Sequence, residues 1–376
     1  MRNPERRSGP RRVWMWVVVP VVVVVVTLAV AEMVVRLVYE PPLSRRVFDP
    51  FAYRIPRPGL VERFRITNDE DEWVSFELNE QGMRGPAAQT PVAADALTLV
   101  FLGGSTTENY RFNDEDTFPV LIGDVLEQRL GRPVRVFNAG MSGGTTSNSL
   151  ARMQHQVLDL HPDLIVVMHA INDLISGFNP RYRADQRHLP PVGVSGVGRL
   201  YLLSWLRQGA GRQDFTTGAP YGVLESPGPA GPSRSVPDYA DFPALGVFRR
   251  NLRSMAAIAA ANDIPILFLT QGSMYAADIP AAEQARRFVL TRPLARMGVT
   301  PPDVESLARG MEAFNESIRN LPRSPLVNVH DLAGQIERST SLFYDECHLT
   351  REGNRRVADL IAPTVVRVVM GGRPAG

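Results

Sequence analysis

LVFLGGSTTENY, residues 99–110, sets four apolar residues directly before two glycines, a serine and two threonines. An apolar run broken by a glycine pair reads as a buried strand entering a tight turn. From this stretch alone Ser105, at the apex, has three readings: a nucleophile, part of a phosphate cradle, or a small residue that suits a bend. Outward from it, short apolar runs alternate with stretches of helical length. The strand candidates are LTLVFL (97–102), VRVFN (134–138), LIVVMH (164–169), IPILFLT (264–270) and LVNV (326–329). Helices are expected around 118–130, 147–159, 247–261, 303–320 and 351–370. This alternation is the signature of βαβ units and predicts an α/β fold, a three-layer α/β/α sandwich around a five-stranded parallel sheet.

The N-terminal flank is different in kind. Residues 1–12 hold five arginines and one glutamate, while the whole chain carries a net charge of only +2. Val13 to Ala31 is a run without any charge, which as a helix rises about 28 Å against about 30 Å of hydrocarbon, and MVVRLV continues it to residue 38. We read 1–12 as a cytoplasmic basic segment and 13–38 as a single-pass transmembrane anchor in the cell membrane. The N-terminus is then cytoplasmic and the remainder extracytoplasmic. Ala29-Val30-Ala31 also fits a signal-peptide cleavage site, but the length of the apolar run weighs towards a retained anchor.

Residues 39–95, rich in proline and arginine before WVSFEL (73–78) and NEQGMRGP (79–86), read as a stalk plus an edge strand packed on the main domain. The main domain runs from 96 to 372. Between its third and fourth strands a Pro/Gly/Ser-rich insertion, about 177–245, lies at the site end of the sheet.

Composition excludes several functions. The 41 basic residues nearly balance the 39 acidic ones, so there is no nucleic-acid footprint. No lysine occurs in the chain, which removes the phosphate-loop motif, and G-x-G-x-x-G is absent. The lack of lysine, with abundant arginine, alanine and valine, points to a high-GC bacterial genome. None of the six histidines shows a metal-site spacing, so neither metal nor cofactor is expected. His169 and His330, at strand ends, are the two further histidines expected to reach the cleft. Cys347 is the single cysteine, so no intramolecular disulfide can form, and it reads as a small buried hydrophobe.

In open α/β sheets ligands bind beyond the carboxyl ends of the strands. The first strand delivers GGSTT there. The second ends in NAGMSGGTTSNS, a glycine-rich turn into a helix whose N–H groups face an anion or a developing oxyanion. The third ends in HAINDL, with Asn172 and Asp173. After the fifth comes FYDECHLTREGNRRVADLI, with Asp345 and His348 three apart ahead of a helix capped by Thr350. A hydroxyl, an imidazole and a carboxylate on one sheet edge are the parts of nucleophilic acyl transfer. Each has a bland reading alone: a structural turn, a helix cap, a surface turn. Their joint order at the ends of strands one, two, three and five outweighs those readings.

Through GGSTT around Ser105, NAGMSGGTT around Gly143, AINDL around Asn172 and DECHLT around Asp345 and His348, the sequence resembles the SGNH (GDSL-type) hydrolases. The resemblance covers roughly 97–370 apart from the insertion. It implies a flavodoxin-like sandwich with Ser105 as nucleophile, His348 as general base and Asp345 orienting the imidazole. It also implies an oxyanion hole made by the Ser105 and Gly143 backbone N–H groups and the Asn172 amide. Two positions depart from the family pattern: Gly104 replaces the usual aspartate and Ala170 the usual glycine. The implied function is a membrane-tethered, extracytoplasmic serine esterase acting on an O-acyl ester of a cell-envelope glycan or lipid. The partners are then that ester and the membrane. An O-acyltransferase of an exported glycan using the same residues, and a non-catalytic envelope scaffold, are the alternatives.

Overall fold

The computed structural model describes residues 10–38, 45–66, 72–91, 93, 95–185, 201–202, 205–206, 242–276, 279, 289–291, 294 and 300–371. They fall into two compact units, Met1–Arg46 with Pro191–Val223, and Val47–Pro190 with Leu224–Gly376. The first nine residues and most of the expected insertion lie outside the described residues.

In the first unit α1 spans Pro10–Val38. Its segment Trp14–Val38, 25 residues with mean hydropathy 2.8, is long and apolar enough to cross a membrane, a criterion that a signal sequence also meets. Trp16, Val25 and Leu37 are among many exposed apolar side chains on it. The acidic residue that interrupts the run, Glu32, accepts bonds from Arg36 Nε at 2.8 Å and from the N–H groups of Tyr201 and Leu202, both at 2.9 Å.

After four short strands, β1 (Arg46–Asp49), β2 (Tyr53–Pro56), β3 (Val61–Ile66) and β4 (Glu72–Glu77), the second unit is built on five parallel strands. These are β5 (Leu97–Gly103), β6 (Val134–Asn138), β7 (Leu164–Met168), β8 (Ile266–Leu269) and β9 (Val327–His330), in the order β6-β5-β7-β8-β9. That is the flavodoxin-like order, 2-1-3-4-5. The three central strands are buried along their whole length because helices cover both faces, which is why their sequences are unbroken apolar runs. The edge strands β6 and β9 keep partly exposed positions. Between β5 and β6 come α2 (Ser105–Glu108) and α3 (Phe118–Leu130), between β6 and β7 α4 (Thr146–Arg152), and after β7 α5 (Ile171–Gly177). Further on, α6 (Leu245–Ala261) precedes β8, α7 (Val304–Arg319) precedes β9, and α8 (Arg351–Gly371) follows it. Helix α8 packs on α3, while α4, α5 and α7 pack against α6. The expected sandwich is therefore present, with α5 ending at Gly177 and α6 starting at Leu245.

Two elements take their form from their partners, and one local expectation needs correction. WVSFEL (73–78), read as an edge strand packed on the main domain, pairs outside the main sheet. It forms β4 (Glu72–Glu77), paired antiparallel with β3 (Val61–Ile66) in a separate ribbon, because its partner hydrogen bonds go to that neighbour. The ribbon rests on the loop after α2 through a Ser75 N–H bond to Asn113 Oδ1 at 2.8 Å and ring contacts of Phe64 and Phe76 with Tyr110. The segment expected to be helical over 147–159 is helical throughout, as an α-helix to Arg152 and then a π turn (Met153–Val157) and a 3-10 turn (Leu158–Leu160). Finally, neither extra histidine faces the cleft. His169 is buried with Nε2 2.7 Å from Ser149 Oγ, and His330 Nδ1 lies 2.9 Å from Thr364 Oγ1.

Candidate active site

Strand β5 ends at Gly103 and the chain turns at once into α2, so Ser105 opens a four-residue helix at the carboxyl edge of the sheet. From the far end of the sequence the Asp345–His348 turn reaches the same point. His348 Nε2 lies 2.6 Å from Ser105 Oγ, and His348 Nδ1 lies 2.6 Å from Asp345 Oδ2. All three side chains are buried. The turn is self-organised: Asp345 Oδ1 accepts the N–H groups of Cys347 at 2.9 Å and His348 at 2.8 Å, so one carboxylate shapes the loop and orients the ring. Thr350 caps α8, its hydroxyl accepting the Gly353 N–H at 3.0 Å. Tyr344 stacks on the imidazole with ring centroids 5.5 Å apart.

The electrostatics follow from this packing. Burial alone would lower His348, but the neighbouring Cys347, Tyr344 and Asp345 groups, the last through its bond to Nδ1, raise the imidazole well above its ordinary value. Asp345 moves the other way. Burial opposes its ionisation, yet the imidazole and the two backbone N–H groups hold the carboxyl below its ordinary value. Burial pushes the Cys347 thiol up. Among the described residues Asp345, Cys347 and His348 form a group whose donor atoms, all within 4.8 Å, a metal ion could use by spacing. Here the carboxylate and Nδ1 are already spent on one another, and the thiol keeps its proton, so the set fits a proton relay better than a metal.

The two remaining expected donors lie across from Ser105. Gly143 sits in a turn closed by the Gly144 N–H to Met141 O at 2.7 Å, with φ +67°, a left-handed conformation that glycine adopts without cost. Gly143 is itself exposed in this turn. Asn172, in the first turn of α5, donates Nδ2 to Gly144 O at 2.9 Å, tying the two donor loops together. A Cβ on Gly104 would collide with Asn172 Nδ2, with Gly144 O only 3.4 Å away. The departure from the family's aspartate at this position thus goes with a close approach of the asparagine amide to the backbone beside Ser105.

Several supporting residues carry no sequence signal of their own. Glu108, at the end of the helix that Ser105 begins, accepts the Ser142 N–H at 2.9 Å and the Ser142 hydroxyl, fixing the turn that presents Gly143. Asp173 accepts the Thr146 hydroxyl at 2.6 Å and its N–H at 3.1 Å, joining α5 to the start of α4. Gln271, after β8, donates to Thr106 Oγ1 at 3.1 Å and accepts the Ile171 N–H at 3.0 Å, linking the Ser105 and Asn172 elements. Each is an ordinary polar residue in the sequence. An acid three positions after the serine, inside an otherwise small-residue turn, is the one hint that could have singled out Glu108.

A buried hydroxyl–imidazole–carboxylate relay at the carboxyl edge of a flavodoxin-like sheet is the arrangement of a serine-hydrolase class of protein. The comparisons define the class further. The chain belongs to the GDSL-like lipase/acylhydrolase family, whose model matches residues 101–356, within the SGNH hydrolase superfamily. It is 40% identical over 84 residues to an arylesterase of Vibrio mimicus, covering 22% of this chain and 41% of that protein. It is 33% identical over 89 residues to the thioesterase 1/protease 1/lysophospholipase L1 of Escherichia coli (strain K12), covering 24% and 41%. These matches span about two fifths of the length of those curated relatives. A lipase structure from a goat rumen metagenome aligns at 14% identity over 72% of this chain and 97% of that chain, with a TM-score of 0.42.

Proposed function

We propose that this chain is a membrane-tethered serine ester hydrolase working outside the cytoplasm on an O-acyl ester of a cell-envelope glycan or lipid. The observation that carries the reading is the pair of 2.6 Å contacts that run from Ser105 Oγ through His348 to Asp345. In this reading His348 Nε2 takes the Ser105 proton as Oγ attacks the ester carbonyl, and Asp345 stabilises the imidazolium that forms. The Ser105 and Gly143 N–H groups and Asn172 Nδ2 receive the charge developing on the carbonyl oxygen. His348 then returns the proton to the leaving alcohol, and water, activated by the same imidazole, releases the acid.

The apolar helix Trp14–Val38 and the arginine excess before it support the tether and the cytoplasmic N-terminus. Replacing Ser105 by Ala tests the chemistry. The variant should lose both hydrolysis of a short-chain aryl ester and labelling by a fluorophosphonate. Retained turnover or retained labelling would remove the assignment.

A further inference from the structure

Close to the reaction centre one basic side chain stands apart from the local charge pattern. The loop after α2 is held by Arg84, itself buried. Arg84 Nη1 donates to the carbonyls of Glu108 at 2.8 Å and Asn109 at 2.7 Å, Nη2 donates to that of Phe112 at 2.7 Å, and Nε donates to Asp114 Oδ1 at 2.6 Å. Two positions on, Asp116 pairs with Arg351 at 3.0 Å. Asp114 and Asp116 are therefore matched by other arginines, and Glu115 between them is exposed. Arg111, between the clamped carbonyls, has no hydrogen bond or ion pair among the described residues. Its guanidinium instead lies 4.7 Å from the centroid of the Tyr344 ring, and that ring stacks 5.5 Å from the imidazole of His348. The guanidinium is thus separated from the general base by no more than the sum of those two distances. Arg111 is half-buried, so its charge is less screened than that of a fully exposed arginine.

A cation fixed on a hydrogen-bonded loop, laid on an aromatic face and without an acid partner among the described residues, is a preformed site for an oxyanion. We propose that Arg111 is an anion subsite of the reaction centre, so that the preferred ester carries a carboxylate or phosphate near the scissile bond. The backbone cost of holding the subsite is met in the free protein by Arg84, so the substrate orders little when it binds. This inference rests on the ester-hydrolase reading above.

The test uses the full chain and matched esters. 4-Acetoxybenzoate against its methyl ester places the charge on the alcohol side, and mono-4-nitrophenyl succinate against 4-nitrophenyl butyrate places it on the acyl side. In at least one pair the wild-type protein should favour the anionic ester in kcat/KM by roughly 10-fold over the ratio shown by Arg111→Ala. Arg111→Lys should keep part of the preference, Arg111→Glu should reverse it, and salt should shrink it in the wild-type protein. Equal ratios in wild type and Arg111→Ala for both pairs, or a preference indifferent to salt, would overturn the subsite. Calorimetric titration of 4-acetoxybenzoate into Ser105→Ala, with and without Arg111→Ala, reads the subsite without turnover. A chain inactive on all four esters speaks against the hydrolase reading, while equal affinity in the two titrations speaks against Arg111.

Discussion

Gly104→Ala probes the site through one methyl group. The added Cβ would overlap Asn172 Nδ2, while Asn172 Cγ at 3.5 Å and Gly144 O at 3.4 Å would be in ordinary van der Waals contact. Restoring ordinary van der Waals separation moves the amide by roughly 1 Å. The Nδ2 bond to Gly144 O, now 2.9 Å, then breaks, and the amide leaves its place beside Ser105. For the fold this is one hydrogen bond, about 1 kcal/mol. For a reaction that uses the amide as an oxyanion donor it amounts to losing that donor, on the order of 10² to 10³ in kcat. The assay is kcat/KM on 4-nitrophenyl acetate for Gly104→Ala, Asn172→Ala and the double variant, with urea midpoints recorded beside them. Each single variant should fall by about 10² or more while keeping a near-native midpoint. The double variant should be no slower than Asn172→Ala, because both changes remove the same interaction. Wild-type activity in Gly104→Ala, or losses that multiply to about 10⁴ in the double variant, would refute the reasoning.

Two further outcomes follow from the titrating groups. Because His348 is raised well above its ordinary value, the free imidazole that acts as base appears only as pH climbs past the usual histidine range. The kcat/KM profile should therefore rise with a midpoint above 6.5, and Asp345→Asn should lower that midpoint along with the rate; a wild-type midpoint at or below 6.5 contradicts this. Burial raises Asp173 to about 7, opposed only in part by its bonds from Thr146. Its folded value lies above its unfolded one, so its contribution to stability is complete below about pH 4 and is lost as pH rises through about 7. Urea unfolding of wild type and Asp173→Asn across that window should show wild type losing stability relative to the variant, by at most about 1.4 kcal/mol per pH unit.

The sequence by itself determined the layered architecture, because strands covered on both faces need unbroken apolar runs. LTLVFL, LIVVMH and IPILFLT announce themselves by composition alone, and each is a central strand. The carboxyl ends of the five strands put Ser105, Asn172, Asp345 and His348 at one sheet edge, and the resemblance to the SGNH hydrolases singled out Gly143. Local pattern was not enough for WVSFEL. Alternation marks a strand with one covered face but does not say which neighbour supplies the hydrogen bonds, and the partner was β3. His169 and His330 show the same limit, since a strand end can turn a side chain into the core as readily as into the cleft.

Tertiary structure alone decided which polar side chains serve the site. Ser105 and His348 stand 243 positions apart, and their 2.6 Å contact exists only because the turn before α8 folds back to the end of β5, an inner strand of the sheet. Glu108, Gln271 and Arg84 look like any surface residue in the sequence, and Asp173 stands out there only as the neighbour of Asn172. They become parts of the site by being buried with their hydrogen bonds aimed at the loops that carry Ser105, Gly143 and Asn172. The physical reason is one of range. Apolar periodicity is a local property set by which face of an element is covered, whereas a hydrogen bond to a distant loop depends on where the whole chain has placed both partners.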